Sequence, residues 1–230
     1  MRRVVAAGIV GLGFLVLLSG CTGTTEFGSN VSYVEEWKSD ETIVYHIGTE
    51  FDTSVVEVNN TSEIELWRRS SLGGNRPLEI SNVKFRYPNN SIVNVSSDSV
   101  EYASDRTVLK LPGPEGEVAY ATRGGNGFFS RPVPLTGSVR VRLPQGTDAR
   151  NIVLGDISPS GYEVVSESPL VLRWDEVEQR TQVKIRYYSK GDPMLLVYLL
   201  AVLLIAAVIV LLYYRRVFSN LREEKSELRK

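Results

Sequence analysis

Val139-Arg-Val-Arg-Leu143 places an apolar residue at every second position with arginine between. Successive side chains of an extended chain point to opposite faces, so this stretch has one apolar and one charged face, the mark of a half-buried antiparallel strand. The alternation returns in Glu63-Ile-Glu-Leu66, Val83-Lys-Phe-Arg-Tyr87 and Val183-Lys-Ile-Arg-Tyr187. Shorter candidates lie at Thr42–Ile47, Ser54–Val58, Ser91–Val95, Val100–Ala103, Thr107–Leu111, Val118–Thr122, Ile152–Leu154, Tyr162–Val165 and Leu170–Trp174. Turn chemistry separates them, in Gly73-Gly-Asn-Arg-Pro77, Pro88-Asn-Asn90, Pro112-Gly-Pro-Glu-Gly116, Gly124-Gly-Asn-Gly127, Pro144-Gln-Gly146 and Ser158-Pro-Ser-Gly161. Short strands so punctuated predict an all-β, antiparallel sandwich-type region, either one large sandwich or two small ones. Pro112–Gly116 is the candidate boundary between a half at 41–112 and a half at 113–190.

The pattern ends at Met194–Tyr214, MLLVYLLAVLLIAAVIVLLYY, which holds 21 residues with no charge, proline or glycine. As a helix it is roughly 31 Å long, the thickness of a bilayer core. Tyr187 and Tyr188 precede it and Tyr213 and Tyr214 close it, where headgroup layers favour aromatics. Residues 215–230 then carry six Lys/Arg against three Glu. Positive charge is retained in the cytoplasm, which predicts a single-pass cell-membrane protein with its large domain outside and a short basic tail inside. Val217, Leu221 and Leu228 give that tail one weak apolar stripe.

The opposite end reads as an export signal. Met1-Arg2-Arg3 is basic, Val4–Leu18 is uncharged and apolar, and Leu18-Ser-Gly-Cys21 follows. Cys21 is the only cysteine, so it makes no intramolecular disulfide, and it stands where a lipobox places its lipidated thiol. Residues 22–40 lack periodicity and read as a tether, with a short helical turn at Val34-Glu-Glu-Trp-Lys38.

Between Thr22 and Pro193 there are 18 Lys/Arg and 24 Asp/Glu, a net of −6, which argues against a nucleic-acid surface. Sequons at Asn30, Asn59, Asn60, Asn89 and Asn94 number about three times what composition gives by chance, as expected of an exported, N-glycosylated half.

Catalytic chemistry is hard to assemble from this chain. Its one histidine, His46, lies in Ile43-Val-Tyr-His-Ile47, where alternation sets it opposite Tyr45 and Ile47 as an outward polar residue. Metal sites built from Cys and His lack the ligands, and no motif calls for a cofactor. Glu63 with Glu65, and Asp175, Glu176 and Glu178, could be imagined as acid/base pairs, but solvated strand faces look the same. In Gly124-Gly-Asn-Gly-Phe-Phe129 the adjacent aromatics Phe128 and Phe129 are either core filler or an exposed contact loop.

Several short pieces recur together in order: Leu18-Ser-Gly-Cys21, Asn75-Arg-Pro77, Phe85-Arg-Tyr-Pro88 with Asn90, Ser138–Pro144, Ser158–Glu163, Leu172-Arg-Trp174 and Ile185-Arg-Tyr-Tyr188. In these the chain resembles a family of haloarchaeal membrane proteins of unknown function. The resemblance implies the same architecture and carries no catalytic or binding residue. The expectation is a non-enzymatic binding or structural module at the cell envelope, in contact with the bilayer and a membrane or surface partner. The alternative is a carboxylate-based envelope hydrolase.

Overall fold

The computed structural model describes residues 31–70, 73–125 and 127–227, with side chains to residue 216. Cys21 and the rest of the signal, the sequon at Asn30 and the side chains of the tail stripe lie outside the described residues. The chain opens with β1 (Ile43–His46), β2 (Phe51–Val58), β3 (Glu63–Arg69), β4 (Asn75–Pro77), β5 (Ser81–Arg86) and β6 (Ile92–Asn94). It continues through β7 (Val100–Tyr102), β8 (Thr107–Lys110), β9 (Gly116–Arg123), β10 (Phe128–Pro132), β11 (Gly137–Arg142) and β12 (Thr147–Asp148). β13 (Asp156–Ser158), β14 (Glu163–Glu167), β15 (Leu170–Val177), β16 (Gln182–Arg186) and β17 (Tyr188–Ser189) lead into the helix α1 (Asp192–Glu227).

One eight-stranded sheet, in the order β14-β15-β11-β1-β2-β9-β5-β6, forms the main layer. Three- and four-stranded sheets, β10-β16-β13 and β4-β3-β8-β7, supply the facing side chains. Ile43, Tyr45, Val139 and Val141 from the large sheet share one core with Phe129, Val183 and Ile185, and with Ile64, Leu66 and Leu109, from the smaller ones. The alternation of Val139-Arg-Val-Arg-Leu143 is realised as expected, its apolar residues inward and its arginines outward.

One pairing departs from the antiparallel expectation. β1 runs parallel to β11, Ile43 opposite Val139 through His46 opposite Arg142. The large sheet takes β1, β2, β5 and β6 from before Pro112 and β9, β11, β14 and β15 from after it. β9 starts at Gly116 and pairs with β2 along its full length, Val58 opposite Gly116 to Phe51 opposite Arg123. Pro112–Gly116 is therefore a strand connection inside one body, not a boundary between two.

Two further expectations are corrected. Ile152–Leu154, read as a strand, is a turn between β12 and β13. The second half of the tether is packed: a strap of residues 31–38, with a 3-10 turn at Glu36–Lys38, covers the outer face of the large sheet. Tyr33 is 1% exposed and packs with Val44, Val55 and Ala119. Its hydroxyl donates to Asn82 O at 2.9 Å, and Asn82 Nδ2 donates to Val31 O at 3.1 Å. The Arg86 guanidinium donates to Trp37 O at 2.9 Å and lies 5.5 Å from the Trp37 ring. With the strap on one side and the core on the other, Asp52–Val56 and Val118–Thr122 are buried on both faces. That double burial replaces alternation with runs of small and β-branched residues.

Because Tyr33 seals a face rather than idling in a linker, Tyr33→Ala should lower stability by about 3 kcal/mol. Urea unfolding of the full chain in detergent measures this; a shift within about 0.5 kcal/mol, the scale of a neutral surface change, would return residues 31–38 to the tether.

Candidate functional site

The adjacent aromatics of the glycine-rich hairpin separate on folding. They open β10, where alternation sends Phe129 into the core (1% exposed) and leaves Phe128 51% exposed. The Phe129 ring centroid lies 5.2 Å from that of Tyr45, and the Arg131 guanidinium sits over the Phe129 ring, 5.5 Å from its centroid. The contact-loop reading thus fits Phe128 and the core reading fits Phe129. The hairpin is held by Tyr187, whose N–H donates to Gly127 O at 2.9 Å and whose hydroxyl donates to Gly125 O at 2.5 Å. Gly127 has φ +76°, a conformation that favours glycine.

Beside Phe128 lies a cleft of about 240 Å³ with Asp52, Arg68, Glu79, Thr122 and Arg131 in its lining. Asp52 stands opposite Thr122 in the β2–β9 ladder, both on the core side near the end of the large sheet. Arg131 reaches them from the facing sheet, its Nη2 3.1 Å from Thr122 Oγ1 and 3.5 Å from Asp52 Oδ2. Its Nη1 donates to Ser130 O at 2.9 Å. Asp52 Oδ1 and Arg131 Nε are buried without a hydrogen-bond partner. Burial is the largest influence on the Asp52 carboxyl and lifts it from the ordinary 3.8 to about 6, against the opposing charge of Arg131 and a backbone hydrogen bond from Gly48. A long, single-contact ion pair does not offset removal from water. The cleft thus combines a readily protonated acid, the Arg131 guanidinium, the exposed Arg68 and an exposed aromatic, a set suited to holding a polar partner group beside an apolar one.

His46 does project from the outer face, yet it is not a bare solvated residue. Its Nδ1 is 3.0 Å from Oε1 of the buried Glu36 in the strap, and Thr53 Oγ1 donates to the same oxygen at 2.7 Å. Burial pushes the Glu36 carboxyl up, but the His46 and Thr53 hydrogen bonds outweigh it, and the net shift is downward. Glu36 is the partner that sequence reasoning missed, because it lies in the stretch read as tether. The Thr53 hydroxyl is spent as a donor to Glu36, so this cluster orients an imidazole and clamps the strap.

Of the carboxylates singled out from the sequence, Glu65 and Asp175 sit in surface ion pairs. Glu65 meets Arg106 at 2.8 Å and Arg180 at 3.6 Å, Glu63 stands opposite Lys110, and Asp175 lies 3.4 Å from Arg173. Asp175, Glu176 and Glu178 are all exposed. Among the described residues no group of three or more His, Cys, Asp or Glu could hold a metal ion. Asn59, Asn60, Asn89 and Asn94 are exposed, Asn59 and Asn60 on the β2–β3 turn and Asn89 and Asn94 around β6.

The sequence profile of a family of unknown function (DUF5803) matches residues 10–229. No curated protein matches the chain.

Asp52 gives the cleft a pH signature. Its folded-state value lies above the unfolded one, so the native state holds the extra proton between about 4 and about 6 and stability falls as pH rises through that window. Glu36 acts oppositely and lower: its contribution is complete above the ordinary 4.5 and is lost as pH falls through its depressed value. Urea unfolding should therefore show wild type losing on the order of 2 kcal/mol across the Asp52 window and Asp52→Asn losing much less. Equal slopes in the two proteins would show that Asp52 does not titrate there.

Proposed function

The chain belongs to the DUF5803 family of unknown function, and we propose that it is a membrane-anchored, non-enzymatic binding or structural module at the cell envelope, an accessory subunit of a membrane complex. The observation that carries this reading is Phe128, exposed beside the Asp52–Arg131 cleft at the end of the sandwich from which the chain runs into α1. On its sheet Phe128 pairs with Arg186, six positions before α1 begins, so an exposed aromatic and a polar cleft are held close to the anchor. That is where a neighbour in the same membrane would be met. Aromatic residues and arginine are the types enriched at interface centres, and here Phe128 lies beside Arg68 and Arg131.

Residues Asp192–Arg216 form a helix long and apolar enough to span a membrane, none of it buried against the sandwich. The basic tail after it supports an outside sandwich and an inside C-terminus. In this reading Cys21 carries a lipid that ties the start of the strap to the same leaflet, and glycans on Asn59, Asn60, Asn89 or Asn94 decorate the surface around the β2–β3 turn and β6.

Crosslinking in native membranes through a C-terminal tag, followed by mass spectrometry, should recover a reproducible membrane protein. Phe128→Ala, at an exposed position, should reduce that recovery about fivefold or more with the sandwich still folded. Recovery unchanged in Phe128→Ala would remove the contact role, and a wild-type chain recovered alone would remove the accessory-subunit reading.

A further inference from the structure

The turn misread as a strand presents the most exposed aliphatic side chains of the sandwich. Ile152 is 95% exposed and Val153 69%. The turn is rigid. Asn151 Oδ1 accepts from Val153 N at 2.9 Å and from Leu154 N at 3.3 Å, and Gly155 N donates to Asn151 O at 2.7 Å. A Cβ on Gly155 would lie 2.0 Å from Ala149 O, so the chain doubles back as tightly as glycine allows. Single exposed aliphatics need no explanation in a soluble domain. Two in succession on a fixed tip do when their position is set by an apolar helix.

That position is fixed by hydrogen bonds. Asn151 N donates to the Tyr188 hydroxyl at 3.2 Å, Thr147 and Asp148 pair with Ser189 and Tyr188, and Lys190 N donates to Gly146 O at 3.0 Å. Ser189 N in turn donates to Asp192 Oδ2 at 3.0 Å at the first turn of α1. The turn is thus tied to residues 188–190, and at most about 14 Å of chain separates Tyr188 from Asp192. Arg150 and Lys190 flank it, Arg150 ion-paired with Asp148 at 2.8 Å and Glu167 at 3.3 Å and Lys190 Nζ donating to Glu167 O at 3.2 Å.

We propose that the Asn151–Gly155 turn is a lipid-contacting foot: Ile152 and Val153 enter the interfacial layer of the bilayer that α1 crosses and seat the sandwich on it. The inference rests on α1 spanning the membrane and is indifferent to which side the sandwich occupies. Aliphatic side chains entering that layer leave water for the headgroup–acyl boundary, the exchange that holds interfacial segments on membranes.

The test uses the full chain in a Cys21→Ser background, reconstituted in phosphatidylcholine vesicles. An environment-sensitive fluorophore is attached in turn at Ile152→Cys, Leu203→Cys and Asp98→Cys. Leu203 lies inside α1 and reports spanning; Asp98, on the exposed Ser97–Ser99 turn, is the aqueous reference. The expected result is quenching at 203 by lipid spin-labelled deep in its acyl chain. Lipid spin-labelled just below the headgroup should quench at 152 about twofold or more above the level at 98. Quenching at 203 with 152 no different from 98 overturns the foot and leaves the anchor intact. No quenching at 203 overturns the spanning helix, and the foot with it.

Discussion

The parallel pairing of β1 with β11 is the constraint on which the rest of the sandwich depends. Antiparallel neighbours can be joined by a short turn, but parallel neighbours need a long crossover. Here the crossover holds everything from β2 to β10. β1 also pairs with β2, and β11 with β15, so the junction fuses what would otherwise be two smaller sheets. Ile43 and Tyr45 on one side of it and Val139 and Val141 on the other occupy the centre of the core. Contacts so distant in sequence form only after much chain entropy has been lost, which makes this a slow-folding topology whose halves are mutually dependent.

The two sides of the large sheet treat buried charge differently. On the outer side, Glu36 is taken from water and compensated by two short hydrogen bonds, so it stays ionised and fastens the strap. On the core side, Asp52 meets Arg131 at 3.5 Å with one oxygen unpartnered, and burial prevails. A buried carboxylate whose hydrogen bonds are met keeps its charge; a partly satisfied one is retained at a cost to the fold. The contrast sets the Asp52 cleft, with its unpartnered carboxylate oxygen, apart from the satisfied Glu36–His46–Thr53 cluster.

Legibility followed solvent. Where a strand has one wet and one dry face, as in Val83–Arg86, Gly137–Arg142 and Gln182–Arg186, alternation was plain and the all-β reading followed. Where the strap dries the second face, over β2 and β9, the pattern flattened and only element existence could be read. The strap itself was opaque because Tyr33 and Trp37 are spaced as in a tether and bury against residues far away in sequence. Phe128 and Phe129 were legible as a pair but not as a pair that divides, since the strand start falls between glycine and phenylalanine. Ile152–Leu154 had strand composition, and the Asn151 side chain with Gly155 made it a turn instead. Asp52 gave no signal, since its significance comes from Arg131, 79 positions later.

Only Lys190 and Gly191 separate β17 from α1. With α1 in a bilayer, a link so short leaves the sandwich no freedom to sample the surrounding fluid, and its diffusion becomes that of its helix, in two dimensions. Molecules sharing that plane then meet it at a high effective concentration with no gain in intrinsic affinity, whereas soluble molecules receive no such advantage. A weak cleft on such a body can be a sufficient one.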